Sequence, residues 1–192
     1  AFNPVSRDSK FKTPRFGADV ALVGLNHPDM NGIDAVTLGE KSPFVVKGPG
    51  EYEVKDLFIK GFGTTSKYEK EERINTVYSV VIDNINVCFL GALSSTELSV
   101  EAREAIGEAD ILFVPIGDEG VLTASEAYQF AVKIEPKLII PIHFGAVGDK
   151  NALKTFLKEA DAEEVKPVDK LTLKRKDLEG KEADVVVLEA LM

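Results

Sequence analysis

Apolar and polar positions follow different patterns in the two halves of the 192-residue chain. In the first half, short apolar runs alternate with turns that contain Gly, Pro or Asp, which is typical of β-strands. A polar segment, residues 66–73, interrupts this pattern and is predicted to be an exposed loop. A tight hairpin is predicted at Asn84 and Ile85. The predicted strands cover residues 19–24, 33–38, 44–47, 51–54, 57–61, 75–83 and 86–91.

The second half alternates helix-forming segments with continuous apolar runs. Ser99 is the N-cap candidate of the first predicted helix, and Thr123 or Ser125 of the second. Residues 110–116 and 137–142 are apolar runs of the kind expected for strands that are buried on both faces. This alternation predicts an α/β fold with parallel β-α-β units and right-handed crossovers. The helices are predicted at residues 99–106, 124–134 and 149–160.

The end of the chain is predicted to form a hairpin. Residues 171–174 and 184–188 are its two strands, and the turn lies near Glu179 and Gly180. No repeat or linker interrupts the chain, so residues 1–192 are predicted to form a single domain.

The composition narrows the classes of protein to which the chain can belong. It is 44% hydrophobic and 29% charged, as in globular proteins, and its net charge of −9 argues against nucleic acid or an anionic membrane as partner. The single Cys88 excludes an internal disulfide, is expected to be a buried thiol, and indicates a reducing, cytoplasmic setting. Because the chain begins at Ala1, we expect a processed protein or a fragment.

Both histidines of the chain follow predicted strands. His27 and Asp29 come after the first strand, and His143 directly follows residues 137–142. Functional residues in open α/β sheets collect at the C-terminal ends of strands. The same residues are also compatible with an ordinary turn, in which Asp29 caps the following backbone, and with a structural histidine at position 143. Asp118 and Glu119 follow another strand, and their alternatives are acid–base catalysis or a solvated loop.

Several short motifs follow one another in the order of a known family. They are Gly48-Pro-Gly-Glu-Tyr-Glu-Val54, Asn75-Thr-Val-Tyr78, Val87-Cys-Phe-Leu-Gly91, Glu126-Ala127, Ile134-Glu-Pro-Lys137 and Ile140-Pro-Ile-His143. Through them nearly the whole chain resembles the metallo-β-lactamase superfamily, in particular the Zn-dependent hydrolase branch akin to L-ascorbate-6-phosphate lactonase. The resemblance implies a four-layer αββα sandwich with a dinuclear metal site. Ala1-Phe-Asn-Pro4 resembles the segment after the family's second strand, so we expect the first β-hairpin to be missing.

The resemblance also implies where metal ligands are kept and where they are replaced. The family's ligands come from a His-x-His-x-Asp-His loop, a His-x-Gly-Asp strand end and a late His. Residues of the ligand type stand at His27, Asp29 and His143. The position of His27 serves one metal of the family's pair, and the positions of Asp29 and His143 serve the other. Residues that are not of the ligand type stand at Leu25, Met30, Phe89 and Ala92.

Two hypotheses of different class follow from this pattern. Because a zinc site needs three or four N, S or O ligands, the first is a non-catalytic relative that binds a ligand or has a structural role, with no cofactor expected. Its large apolar replacements could fill the vacated site. The second is a hydrolase of small ester, lactone or phosphorylated substrates, with one zinc, manganese or iron ion at His27, Asp29 and His143. A small molecule in the old cleft, and a second copy covering the sheet edge that the missing hairpin exposes, are the expected partners.

Overall fold

Two β-sheets stack against each other in the computed structural model of the protein, which describes residues 1–189. The smaller sheet pairs β1 (Val20–Val23) in parallel with β2 (Phe44–Lys47). All four side chains of β1 are buried, as its unbroken apolar sequence requires. The larger sheet has seven strands in chain order: β3 (Gly50–Val54), β4 (Leu57–Ser66), β5 (Arg73–Ile82), β6 (Ile85–Phe89), β7 (Ile111–Pro115), β8 (Leu138–Ile142) and β9 (Asp184–Val185).

The large sheet changes from antiparallel to parallel at β6. Strands β3 to β6 form an antiparallel meander, whereas β6 to β9 pair in parallel. The parallel part contains the predicted crossover helices, α1 (Val100–Gly107) and α2 (Ala124–Ile134), and α3 (Ala152–Glu159) follows β8. Ser99 caps α1, and Thr123 forms a capping box with Glu126 at α2, which confirms both predicted helix starts.

The helices cover one face of the large sheet. Alternate strand residues, among them Cys88, Leu112 and Ile139, pack there against Ile106, Phe130 and Phe156 of the three helices. Burial raises the pKa of the Cys88 thiol to about 12, and its Sγ donates a hydrogen bond to the carbonyl of Ala105. The thiol therefore belongs to the core, as predicted.

Two different segments cover the opposite face. The small sheet packs its Leu22 and Val46 over Ile59, Tyr78 and Phe89 of the large sheet. Farther along, the segment after α3 covers the ends of β6, β7 and β8, with Leu178 fully buried and Leu171, Leu173 and Leu188 packed beside it. The large sheet thus lies between two covering layers. The helices form one, and the small sheet and the C-terminal segment together form the other.

Several predicted elements need correction. Residues 33–38 are not a strand, because Ile33–Val36 form a 3-10 helix. The terminal hairpin was also predicted wrongly: residues 171–174 are not a strand, and β9 pairs in parallel with β8. The turn before β6 lies at Asp83 and Asn84, whose positive φ angles of 50° and 58° suit a tight hairpin. Among residues 1–189, no helix is long and apolar enough to cross a membrane.

A candidate site around Asp29 and Tyr68

Asn75 of β5 ties together the chain segments that carry the candidate site. Its fully buried amide donates to the carbonyl of Leu90 at 3.0 Å and accepts a hydrogen bond from the backbone nitrogen of Ala92 at 2.9 Å. Gly91 between them has a φ of 60°, and a Cβ there would lie 2.6 Å from the Asn75 Oδ1. The end of β6 is thereby fixed close to the turn after β1, where Leu25 forms an isolated bridge with Asn75.

Asp29 is buried, and both of its carboxylate oxygens accept hydrogen bonds. The Ser9 hydroxyl donates to Oδ1 at 2.5 Å, and the Tyr68 hydroxyl donates to Oδ2 at 2.8 Å. These two donors come from segments far apart in the sequence. The carboxylate therefore joins the N-terminal segment to the loop after β4.

His27 is also buried, and each of its ring nitrogens has a partner. Nδ1 accepts a hydrogen bond from the Asp29 backbone nitrogen at 3.2 Å, so Nε2 is the nitrogen that donates to Glu69, at 2.9 Å. Glu69 also lies 3.5 Å from the ammonium group of Lys10. Among the described residues, ligand atoms of His27, Asp29 and Glu69 lie within 4.8 Å of one another, a spacing that a metal ion could bridge.

Tyr68 stands between the two histidines of the chain. Its ring lies edge-to-face with His27 at 5.1 Å and with His143 at 5.8 Å between ring centroids. Burial, followed by the hydrogen bond to Asp29 and nearby carboxylates, raises the pKa of the Tyr68 hydroxyl, so the group remains a donor. Because the Tyr68 ring lies between the two histidines, His143 is not part of the group formed by His27, Asp29 and Glu69.

The loop that carries Tyr68 has an unusual backbone that is held from the other side of the site. Glu69 and Lys70 both have positive φ angles, 54° and 64°. Gly120 supports the loop at close range, because its carbonyl accepts from the Lys67 nitrogen at 3.1 Å and a Cβ on Gly120 would lie 2.1 Å from the Lys67 carbonyl oxygen. The close approach therefore requires glycine at position 120.

His143 follows β8 directly and is half-buried. Its φ is 57°, and its side chain makes no hydrogen bond with the residues that the structure describes. Desolvation lowers the pKa of the imidazole to about 4, and the Asp29 carboxylate opposes this shift. The ring is therefore neutral at pH 7 and forms part of the walls of two cavities.

Three of the four positions without a ligand-type residue lie together in the core. Leu25, Met30 and Ala92 form a buried cluster with Tyr68 and Val121. Phe89 lies elsewhere: it stacks on Phe2 at 4.7 Å and approaches Phe113 at 6.1 Å. Leu25, Met30 and Tyr68 therefore share one apolar packing unit, whereas Phe89 belongs to the interface of the two sheets.

Two cavities adjoin Tyr68 and His143. One has a volume of about 570 Å³ and a polar lining, to which Asp118, Glu119 and Lys70 contribute. The other has a volume of about 340 Å³ and is lined mostly by apolar side chains. Asp118 and Glu119 thus face the polar cavity, and the cap of α2 is Thr123 rather than either carboxylate.

The structure unites only part of the predicted residue set. His27 and Asp29 lie together, and His143 lies beyond the Tyr68 ring. Glu69 and Tyr68 are not among the predicted site residues, because the polarity of residues 66–73 predicts an exposed loop. The signal that could have found them is the single aromatic residue in that polar run.

The comparison with known proteins agrees with this fold. A sequence model of the beta-lactamase superfamily domain matches residues 1–143, and the chain belongs to this superfamily. A UPF0173 protein of Pyrococcus abyssi is 30% identical over 145 residues, which are 71% of this chain and 64% of that protein. A UPF0173 protein of Pyrococcus furiosus is 32% identical over a match that covers 60% of this chain and 47% of that protein. The match thus spans less than two thirds of each relative.

Solved structures place the fold within the metallo-β-lactamase group. One is a Thermotoga maritima protein, assigned as a Zn-dependent hydrolase of the metallo-β-lactamase superfamily. It is 29% identical and has a TM-score of 0.67, and the match covers 94% of this chain and 87% of the Thermotoga chain. A protein of Parabacteroides distasonis, assigned as a metal-dependent hydrolase, shares the fold with a TM-score of 0.61 and 21% identity, over 98% of this chain and 84% of its own. The predicted metallo-β-lactamase-like α/β fold is confirmed.

Proposed function

We propose that this chain is a non-catalytic member of the superfamily that binds a small molecule in the cleft around Tyr68. The observation that carries the proposal is the position of the Tyr68 ring between His27 and His143. A hydrolytic metal in this fold would need the space between these imidazoles, and the Tyr68 hydroxyl already occupies one oxygen of Asp29.

The side chains present do not fit a dinuclear metal centre. Leu25, Phe89 and Ala92 carry no donor atom, and the thioether of Met30 is a poor ligand for zinc. The remaining donors already have partners: His27 Nδ1 accepts from a backbone N–H, and both Asp29 oxygens accept from hydroxyl groups. These residues therefore provide no basis for hydrolysis by a pair of metal ions.

One observation favours a second candidate function, a metal-dependent hydrolase with a single ion. Ligand atoms of His27, Asp29 and Glu69 lie within 4.8 Å of one another among the described residues. This set differs from the predicted one, since Glu69 takes the place of His143. A divalent ion held there would act as a Lewis acid and lower the pKa of a bound water. Its entry would have to displace the hydrogen bond between His27 Nε2 and Glu69.

The metal content of the purified protein separates the two candidates. For a non-catalytic protein we expect substoichiometric zinc, manganese and iron by elemental analysis. We also expect no turnover of esters, lactones or phosphate esters after zinc or manganese is added. Glu69→Gln should then change neither result, because among residues 1–189 Glu69 pairs with His27 and Lys10 and holds no metal in this case.

The opposite result has an equally clear signature. One equivalent of metal that is lost in Glu69→Gln would overturn the non-catalytic proposal and support the single-ion site. Glu119→Gln is the matched control, because Glu119 faces the polar cavity but lies outside the group of His27, Asp29 and Glu69. Its metal content should equal that of the unmodified protein in either case.

A further inference from the structure

The smaller of the two cavities has the character of a site for an apolar ligand. Its volume of about 340 Å³ falls within the range of roughly 300–1,000 Å³ that is typical of small-molecule sites. The rings of Phe2, Phe11, Phe89 and Phe144 contribute to its wall, together with aliphatic side chains such as Met30. Burying an apolar molecule there would be favourable, because the free energy gained is roughly proportional to the apolar area removed from water.

The apolar space extends past this cavity. A third cavity, of about 370 Å³, lies between the large sheet and the C-terminal segment and shares Phe2, Ile140 and Leu188 with it. On the other side, Tyr68, His143 and Val147 belong both to the apolar cavity and to the polar one. A ligand with an extended apolar body could therefore keep one polar end at the polar cavity.

The charges inside the apolar cavity disfavour an anionic group there. Its described lining contains no lysine or arginine, and its one charged group is the buried carboxylate of Asp29. An anion would lose its hydration there and lie beside a like charge, and both effects are unfavourable. In the polar cavity, Glu69, Asp118 and Glu119 outnumber Lys10 and Lys70.

His143 offers a ligand a polar contact at the edge of the apolar cavity. The imidazole of His143 lies in the wall between the apolar and polar cavities, and it makes no hydrogen bond with the described residues. An imidazole can donate through one nitrogen and accept through the other. It can therefore pair with a hydroxyl, amide or ester group of a ligand.

We propose that the phenylalanine-lined cavity binds an uncharged small molecule with an extended apolar body and one hydrogen-bonding group, which lies within reach of His143. The inference deepens the proposed function, because it uses the same cleft and names the chemical class of its ligand. It excludes carboxylates and phosphates as preferred ligands of this cavity.

Competition against a neutral fluorescent dye tests the proposal with the full chain. Nile red should bind saturably with increased emission, and decanol should displace it. Decanoate has the same chain length but carries a charge, so it should displace the dye with at least about tenfold weaker affinity. Equal displacement by decanoate, or the absence of saturable dye binding, would overturn the proposal.

Variants that fill the cavity locate the binding. Val5→Trp and Val147→Trp enlarge half-buried residues of the lining on two separate segments, so one remains informative if the other does not fold. Each should weaken decanol binding by at least about tenfold. Val132→Trp is the control, since Val132 is 44% exposed on α2 and outside the cavity lining. Unchanged affinity in both folded lining variants would disprove the location.

The outcomes also separate this inference from the proposed function. A protein without metal and turnover that fails to bind Nile red and decanol would leave the non-catalytic proposal intact and remove the ligand class. A protein with one equivalent of metal and hydrolytic turnover that still binds decanol would overturn the non-catalytic proposal and leave the ligand class intact.

Discussion

Tyr68 fills space with its ring and satisfies a buried carboxylate with its hydroxyl group. The ring packs with Leu25 and Met30, and the hydroxyl donates to Asp29 at 2.8 Å. A buried carboxylate without hydrogen bonds is unfavourable, so the two tasks stabilise the same small region of the protein. At the scale of single residues, Tyr68 accounts for both the packing and the polarity of the candidate site.

Removing only the Tyr68 hydroxyl should therefore destabilise the protein measurably. In Tyr68→Phe the ring is kept, but Asp29 Oδ2 loses its hydrogen-bond donor. We expect the free energy of unfolding to fall by about 1–3 kcal/mol, measured by urea denaturation. Tyr52→Phe is the matched control, because the Tyr52 hydroxyl makes only long hydrogen bonds of 3.3 and 3.4 Å, and it should cost less than about 0.5 kcal/mol. Equal losses in the two variants would contradict the role assigned to the Tyr68 hydroxyl.

The candidate site could be predicted in part from the sequence. The pairing of His27 with Asp29 is predictable because both stand in one short turn after a strand, where local spacing decides their proximity. The partners Ser9, Tyr68 and Glu69 come from distant segments, and no local pattern encodes those contacts. The separation of His143 from His27 likewise depends on the Tyr68 ring, which comes from another loop.

The C-terminal segment attaches to the large sheet through an ionic cluster as well as through apolar packing. Asp110 precedes β7, is buried, and accepts from Lys137 at 2.7 Å, from Arg175 at 2.5 Å and from the Asn86 nitrogen at 2.9 Å. Burial alone would raise the pKa of Asp110. The hydrogen bonds from Lys137 and Asn86 and the two positive charges outweigh burial, so its pKa lies below the usual value.

Asp110→Asn should weaken this attachment and remove an acid-sensitive contribution. We expect a loss of about 1–3 kcal/mol in unfolding free energy at pH 7. Because the folded-state pKa is depressed, the contribution is complete above the unfolded-state value of about 3.9 and is lost as pH falls through the folded value. Urea denaturation at pH 7 and near pH 3 measures both effects, and the variant should lose less stability on acidification than the unmodified protein.

An exposed ion pair provides the control for this measurement. Asp184 lies 2.7 Å from Lys181, with side chains 46% and 33% exposed. Asp184→Asn should cost at most about 1 kcal/mol, since exposed pairs contribute little. A cost equal to that of Asp110→Asn would show that the buried cluster has no special importance for the segment.

Elements with strong local signals were predicted well, and those that depend on tertiary contacts were not. The apolar runs at β7 and β8, and the capped helices α1 and α2, lie where the pattern placed them. The composition of residues 33–38 predicts a strand, although Ala35 and Val36 are buried in a 3-10 helix. Residues 171–174 failed similarly, because Leu171 and Leu173 pack on the sheet without a strand partner.

At the scale of the whole molecule, the large sheet contributes side chains to three of the apolar clusters. Strands β5, β6 and β7 contribute side chains to the helix-covered face and to the face under the small sheet or the C-terminal segment. Both covering layers pack on these same three strands. If either layer detached, the strands would expose apolar side chains and would no longer support the other layer. This arrangement favours cooperative unfolding, which is what a single domain requires.

We therefore expect the chain to unfold in urea in one transition. It contains no tryptophan, so tyrosine fluorescence reports on tertiary structure and far-ultraviolet circular dichroism reports on helices and strands. Tyr128 packs on Phe156 in the helical layer, whereas Tyr52 and Tyr78 lie on the side of the small sheet. In Tyr128→Phe the remaining fluorescence comes mainly from that second side, and its midpoint should still coincide with the dichroism midpoint. Separate midpoints would mean that the two layers unfold independently, and the prediction of a single domain would be wrong.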